Sequence, residues 1–107
     1  MWILEAVGDE SLRFRVRPGT IKTVGRATRA DFIVDRAMVS RLHCRLEAGP
    51  EGPAGEAELQ VVDLSSTNGT FVNDERVKRK RLSNGDRLRV GRVELKVELA
   101  VGPTPTP

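Results

Sequence analysis

The polar segment DLSSTNGTFVN, residues 63–73, carries the densest group of side chains in the chain that could do chemistry. It places two serines, two threonines and two asparagines around a single glycine. Asn68-Gly69 predicts a tight hairpin turn, because these two residue types tolerate positive φ best. A turn does not explain the hydroxyl run of Ser65, Ser66 and Thr67, so the segment raises the question of a binding site.

Catalysis is the first chemistry to weigh. Ser40, His43 and Asp63 are the residue types of a hydrolase triad, but a triad depends on converging geometry and not on closeness in sequence. Residues three apart on a strand point to opposite faces. The chain has one histidine and one cysteine, Cys44, and it has neither a nucleophile elbow nor a Walker loop. We therefore expect no enzymatic activity.

Metal and cofactor binding are not expected either. His43 and Cys44 are sequence neighbours that cannot easily face one ion, so a transition-metal site would lack its usual ligands. A single cysteine also excludes an internal disulfide.

Positive charge is concentrated near the C-terminal part of the chain. Residues 74–92 hold eight basic residues against three acidic ones, a net charge of +5, whereas the whole chain is +3. This charge, together with arginines in a possible helix over 35–46, makes a small basic nucleic-acid-binding β domain the alternative function. The chain has no Tyr, one Trp and three Phe, which argues against an aromatic stacking platform. The KRKR run, 78–81, is left without a role, because such runs are commonly solvated loops or edge strands.

Recognition of a phosphorylated peptide fits the polar segments better. A phosphoryl group carries a charge of about −1.5 to −2 and three acceptor oxygens. It requires guanidinium and hydroxyl donors on stiff loops, because charge-assisted bonds are strong only when their geometry is set in advance. Three segments offer these groups: VGRATRAD with Arg26, VSRLHC with Ser40 and Arg41, and SSTNGT with Thr67 and Asn68.

The elements that must position these segments are short strands. Apolar and polar residues alternate in 12–16, 58–64, 87–90 and 93–99, with turn residues between them. Many short strands with frequent turns predict an all-β antiparallel sandwich or barrel. One segment allows another interpretation, because Met38, Leu42 and Leu46 recur every four residues as they would on a helix.

Length and composition indicate one small domain. The chain has 107 residues, of which 38% are hydrophobic and 31% charged, values typical of a folded soluble protein. We expect a domain over 1–100 and a Pro/Thr linker tail over 101–107, with Thr104 and Thr106 before prolines. Because Met1 is a natural start and the tail reads as a linker, the chain is expected to be the N-terminal module of a longer protein. The absence of a basic leader predicts a cytoplasmic location.

Four motifs in this order resemble the forkhead-associated (FHA) domain, a phosphothreonine-binding module. They are Gly25-Arg26, Ser40-Arg41-Leu42-His43, Ser66-Thr67-Asn68-Gly69-Thr70 with Asn73, and Gly85-Asp86. The resemblance spans roughly residues 3–99. It implies a β-sandwich of about eleven strands with ligand-binding loops at one end, and it favours a loop leading into a strand over a helix at 35–46.

The resemblance also implies a role for each matching residue. Arg26 and Ser40 would bind the phosphate, with Arg41 contacting it or the adjacent peptide. Thr67 would line the threonine pocket and Asn68 would hydrogen-bond the peptide backbone.

Four further residues would support the loops. They are Gly25, His43 to pin the loops, Gly69 to complete the turn, and Asn73 to brace the binding loop from behind. Without the family match, Arg26 would be assigned to a surface ion pair with Asp31 or Asp35. Ser65, Ser66 and Thr70 are expected to satisfy backbone groups within their loop. The implied partners are phosphothreonine-containing proteins in Ser/Thr kinase signalling, with no membrane contact.

Overall fold

The computed structural model describes residues 1–100 and contains eleven β-strands. They are β1 (Trp2–Ala6), β2 (Asp9–Val16), β3 (Ile21–Gly25), β4 (Phe32–Ile33), β5 (Cys44–Ala48), β6 (Leu59–Asp63), β7 (Thr70–Val72), β8 (Glu75–Val77), β9 (Arg79–Leu82), β10 (Arg87–Val90) and β11 (Val93–Leu99). The predicted linker tail, 101–107, lies outside the described residues. The all-β prediction is confirmed, including the expected number of strands.

The strands form two sheets. Sheet 1 has the order β2-β1-β11-β10-β7-β8, and sheet 2 has the order β4-β3-β5-β6-β9. The neighbouring pairs are antiparallel except β3 and β4, which run parallel. The basic KRKR run forms β9, an edge strand of sheet 2, apart from its first residue, Lys78. Charged side chains suit such an edge because they oppose pairing with another chain.

The alternating pattern of the sequence builds the core. In β1 and β5 every second residue is buried, and in β6 Leu59 and Val61 are buried, so each strand turns one row of apolar side chains inward. The rows from both sheets meet in one cluster that includes Leu4, Leu46, Val61 and Leu88. Buried Trp2 also belongs to it, and its indole N–H donates to the carbonyl of Ala57 at 2.9 Å. This shared core holds the ends of the strands, and therefore the loops, at fixed positions.

The tight hairpin is not where the sequence predicted it. Asn68-Gly69 lies between β6 and β7, which belong to different sheets, so no hairpin can form there. Only Gly69 of this pair has positive φ, at 89°. A two-residue hairpin turn forms instead at Asn73-Asp74, which joins β7 to β8 with φ of 50° and 68°. Both values match the type I′ turn that the twist of paired strands favours.

The helical interpretation of residues 35–46 is wrong. The segment is a loop up to residue 43 and continues as β5. Met38, which would have to lie on the buried face of the helix, is 45% exposed and has a φ of 69°. The buried side chains are instead Val39, His43, Cys44 and Leu46. No helix suited to spanning a bilayer occurs within residues 1–100.

Candidate functional site

Three loops meet at one end of the sandwich, beside an open cleft of about 470 Å³. They are loop 26–31 between β3 and β4, loop 34–43 between β4 and β5, and loop 64–69 between β6 and β7. Four of the five predicted contact residues line this cleft: Arg26, Ser40, Thr67 and Asn68. Segments up to about forty residues apart in the chain are thus brought together, because their strands end at the same edge of the sandwich.

Arg26 directly follows β3, so its side chain starts from a fixed strand end. Its backbone N–H donates to the carbonyl of Ser40 at 2.9 Å, and its Nε donates to the carbonyl of Val39 at 3.1 Å. None of the seven ion pairs within residues 1–100 includes Arg26. Asp31 instead accepts hydrogen bonds from Thr23. The terminal nitrogens of the Arg26 guanidinium therefore keep their donors available for an anion.

The ring of His43 fastens loop 34–43 to loop 64–69 from the inside. It is fully buried; its Nδ1 accepts from the backbone N–H of Ser40 at 3.0 Å, and its Nε2 lies 2.8 Å from the carbonyl oxygen of Gly69. A backbone N–H can only donate and a carbonyl can only accept. The ring is therefore the neutral tautomer that carries its proton on Nε2.

At the rim of the cleft, two side chains make further contacts between the same loops. The hydroxyl of Ser40 accepts from the backbone N–H of Thr67 at 3.0 Å, which leaves the hydroxyl proton to donate outward. The Nδ2 of Asn68 donates to the carbonyl of Met38 at 3.0 Å. Thr67 and Asn68 are both exposed, so they can contact a ligand without rearrangement of the core.

Asp63, at the end of β6, organises the interior of loop 64–69. Its carboxylate accepts from the backbone N–H and hydroxyl of Ser66 and, at 2.7 Å, from the hydroxyl of Thr70. The Ser66 hydroxyl in turn accepts from the N–H of Gly69 at 3.0 Å. Partial burial opposes ionisation of Asp63, but the hydrogen bonds from Ser66 and Thr70 outweigh it, so its pKa is lowered. The carboxylate thus acts as an internal cap for the loop.

The comparison with protein families agrees with this geometry. A model described as the FHA domain matches residues 22–91, more than half of the chain. That segment contains all nine residues that the sequence motifs assign to the site and its support. The chain belongs to the FHA domain family. Domains of this family use clusters of their own arginines to recognise phosphorylated motifs.

Two similar proteins carry the names of metabolic regulators. The chain is 41% identical over 75 residues to the glycogen accumulation regulator GarA of Mycolicibacterium smegmatis, covering 68% of this chain and 42% of GarA. It is 36% identical over 73 residues to an oxoglutarate dehydrogenase inhibitor of Corynebacterium efficiens, covering 68% and 47%. The match spans less than half the length of either relative.

Solved structures share the fold over nearly the whole chain. The FHA domain of FhaA, complexed with the intracellular domain of Rv3910, is 30% identical with a TM-score of 0.79, covering 92% of this chain and 100% of that one. A domain solved in a study of phosphothreonine-dependent FHA interactions is 29% identical with a TM-score of 0.78, covering 92% and 96%.

Two glycines of this FHA domain let backbones pass close to each other at the site. A β-carbon on Gly25 would overlap the carbonyl oxygen of Arg41, so no other residue fits there without moving loop 34–43. A β-carbon on Gly91, which has a φ of 58°, would lie 2.9 Å from the Val39 side chain and 3.0 Å from the carbonyl oxygen of Ala37. Gly91, in the β10–β11 turn, therefore packs directly against loop 34–43.

Arg41 and Asn73 lie apart from the cleft wall. Arg41 is exposed, and only its carbonyl is tied to a neighbouring loop, where it accepts from the N–H of Ala27 at 3.0 Å. Asn73 lies at the opposite end of β7 from Gly69, in the hairpin turn. Its side chain donates to Asp86 at 3.1 Å and accepts from the N–H of Arg87 at 3.0 Å. These bonds brace the hairpin against β10 and do not reach loop 64–69.

Ser40, His43 and Asp63 do not form the hydrogen-bonded arrangement of a catalytic triad. The His43 ring bonds the backbone of Ser40 and not its hydroxyl, and the Asp63 carboxylate is occupied by the hydroxyls of Ser66 and Thr70. Cys44 is fully buried, and burial raises the pKa of its thiol, so it is not an activated nucleophile.

Sequence reasoning missed Asp63 and Gly91 as structural parts of the site. Asp63 carried a signal, because an aspartate three residues before a serine is a common way to satisfy turn groups. The residue type of Gly91 indicates a turn and nothing more, because its contact with loop 34–43 depends on how the two sheets pack.

Proposed function

We propose that this domain binds phosphothreonine-containing proteins through the cleft formed by loops 26–31, 34–43 and 64–69, as a non-catalytic module in Ser/Thr kinase signalling. The observation that carries the proposal is the Arg26 guanidinium, which is held by its Nε to the carbonyl of Val39 in the cleft that Ser40 also lines, and which has no ion pair within residues 1–100. Membership of the FHA domain family supports the same conclusion.

The chemistry of the cleft suits a phosphate dianion. Arg26 supplies a charged fork, the Ser40 hydroxyl supplies a neutral donor, and Asn68 supplies an amide that can pair with a peptide backbone. Charge-assisted hydrogen bonds contribute most when the donors are already in place. The contacts of Ser40 with His43 and Thr67 hold its hydroxyl before the ligand arrives. Arg41 is assigned to the peptide beside the phosphate, because it is exposed near the cleft but is not part of its wall.

Threonine is preferred over serine because the γ-methyl group packs beside Thr67. Transfer of one methyl group from water contributes about 0.8 kcal/mol, roughly a fourfold change in affinity, and a gap left by serine adds to it.

The direct test is calorimetric titration with degenerate peptide mixtures that contain phosphothreonine, phosphoserine or unmodified threonine at one fixed position. We expect binding in the order phosphothreonine, then phosphoserine, with no binding of the unmodified mixture. Equal binding of the modified and unmodified mixtures would refute the proposal.

The basic run does not favour the nucleic-acid alternative. Two of its four charges face acids, Arg79 with Glu47 at 3.7 Å and Arg81 with Glu58 at 3.1 Å. A strip whose charge is partly neutralised offers less attraction to phosphates along a nucleic acid. We assign the run to the protection of the sheet edge.

The partner is expected in the compartment where protein kinases use ATP, so the cytoplasm is the proposed location. A similar domain, that of FhaA, is known in a complex with an intracellular domain. We further propose residues 1–100 as the binding module and 101–107 as the linker that follows it.

A further inference from the structure

A second basic feature lies next to the cleft, on the outer face of sheet 1. Arg76 of β8 and Arg89 of β10 both face Phe71 of the intervening strand β7 in the strand register. The guanidinium carbon of Arg89 lies 4.1 Å from the centre of the Phe71 ring, a cation–π contact. We call these three residues the Arg76 strip.

Arg76 connects the strip to loop 64–69. A β-carbon built on Gly69 would lie 2.7 Å from Nε and 3.0 Å from Cζ of Arg76, so the guanidinium packs directly against the α-carbon of Gly69. Gly69 follows Asn68, which lines the cleft. The Arg76 charge is therefore only one residue away from the cleft wall.

Neither arginine of the strip has an acidic partner within residues 1–100. The ion pairs formed within residues 1–100 include neither Arg76 nor Arg89. Glu94, which lies opposite Arg89 in the register, pairs with Arg87 at 3.6 Å. An arginine that packs on a surface only through its aliphatic CH₂ groups leaves its guanidinium in water. Here the head group of Arg76 itself packs on loop 64–69, and its charge is not paired with any acid of residues 1–100.

We propose that the Arg76 strip is a subsite for a carboxylate side chain of the bound phosphopeptide. The proposal rests on the proposed function of the cleft. An extended peptide advances about 3.3 Å per residue, so an aspartate or glutamate within about three residues of the phosphothreonine could reach Arg76 as the chain leaves over Asn68. A guanidinium suits this task because it binds a carboxylate with two parallel hydrogen bonds. The domain should therefore prefer phosphopeptides with an acid on one flank.

The test is a coupling measurement with degenerate phosphothreonine peptides that carry a fixed Asp, or a fixed Asn, at each position up to about four residues on either side. Fluorescence anisotropy would compare the wild type, Arg76→Gln and the control Lys80→Gln. Lys80 is an exposed residue of β9 in sheet 2, so the control loses the same charge away from the cleft.

We expect Asp at one flanking position to strengthen binding roughly two- to fivefold over Asn, the range for exposed charge pairs. Arg76→Gln should remove this gain and Lys80→Gln should keep it. A gain that persists in Arg76→Gln, or a wild type that binds phosphothreonine without preferring Asp at any position, would overturn the subsite and leave the proposed function intact. A wild type that does not distinguish phosphothreonine from threonine would overturn both proposals.

Discussion

The two ends of the sandwich carry clefts that differ in charge and construction. The cleft beside Trp2, where β1 begins and β11 ends, is the larger, at about 650 Å³ against about 470 Å³. It contains Glu56 and Glu58, and Glu58 neutralises the Arg81 of that cleft at 3.1 Å. The smaller cleft contains Arg26, which has no ion pair within the described part of the chain. The loops around that cleft are joined to each other by hydrogen bonds.

Volume therefore does not distinguish the proposed site from the other cleft. Ligand sites are recognised by a few convergent polar groups whose positions are fixed. At the Arg26 end, His43 and Asp63 fix such groups through hydrogen bonds to the neighbouring backbone and hydroxyl groups. The donor groups of Arg26 and Ser40 at the rim of the cleft remain available for a ligand.

The largest effect is expected from removal of Arg26, which has no ion pair within residues 1–100. Arg26→Ala should weaken phosphothreonine peptide binding by at least about 2 kcal/mol, roughly 30-fold, because the phosphate loses its charged donor. Arg81→Ala, at the other end, should leave binding unchanged. Isothermal titration of both variants, with circular dichroism to verify folding, measures this. Equal losses in the two variants would break the contrast between the ends.

The next effect concerns the buried ring that joins the loops. His43→Ala leaves the Ser40 N–H and the Gly69 carbonyl without a partner and opens a cavity, so stability should fall by about 3 kcal/mol in urea unfolding. The same variant should also lose phosphopeptide affinity, because the loops are no longer fastened together. Cys44→Ala, a truncation of the neighbouring buried residue, should lower stability less and leave the affinity at the wild-type value. Unchanged affinity in His43→Ala would mean that the rim is positioned without the ring.

A smaller effect is expected at Asp63. Asp63→Asn puts an amide N–H toward the hydroxyl and N–H donors of loop 64–69, so stability at pH 7 should fall by about 1–2 kcal/mol. The carboxylate has a lowered pKa in the folded state, so its stabilisation is complete above the ordinary value of 3.8 and is lost as pH falls below it. Urea unfolding between pH 7 and pH 3 should therefore show a narrowing difference between wild type and variant. A constant difference would show that the charge of Asp63 is not what caps the loop.

The smallest effect is that of pH on binding. The second pKa of a phosphate is about 6, so lowering the pH from 7 to 5 should weaken binding by up to about tenfold as the dianion takes up a proton. Calorimetry at several pH values measures this change, and a flat profile would argue against recognition of the dianion.

Much of the fold could be predicted because it depends on local patterns. The alternation in 93–99 gave β11 with its observed bounds, and the alternation in 58–64 gave β6 to within one residue at each end. The helix over 35–46 was suggested by spacing alone. Tertiary packing overrides that spacing, because Val39 and His43 face the core while Met38 does not.

The site was only partly predictable. The family motifs placed Arg26, Ser40, Thr67 and Asn68, and the structure brings these four to one cleft. The hairpin signal of Asn68-Gly69 was misleading, because a pair of residues cannot indicate that the flanking strands belong to different sheets. The position of Arg76 against Gly69 also could not be predicted, since it depends on the register between β7 and β8.

The most direct test of the cleft at the Arg26 end is a nuclear magnetic resonance titration of the ¹⁵N-labelled domain with a phosphothreonine peptide mixture. We predict that the amide signals of Arg26, Ser40, Thr67 and Asn68 shift together, while those around Trp2 and Arg81 stay in place. Shifts gathered at the Trp2 end, or equal shifts with the unphosphorylated mixture, would contradict it.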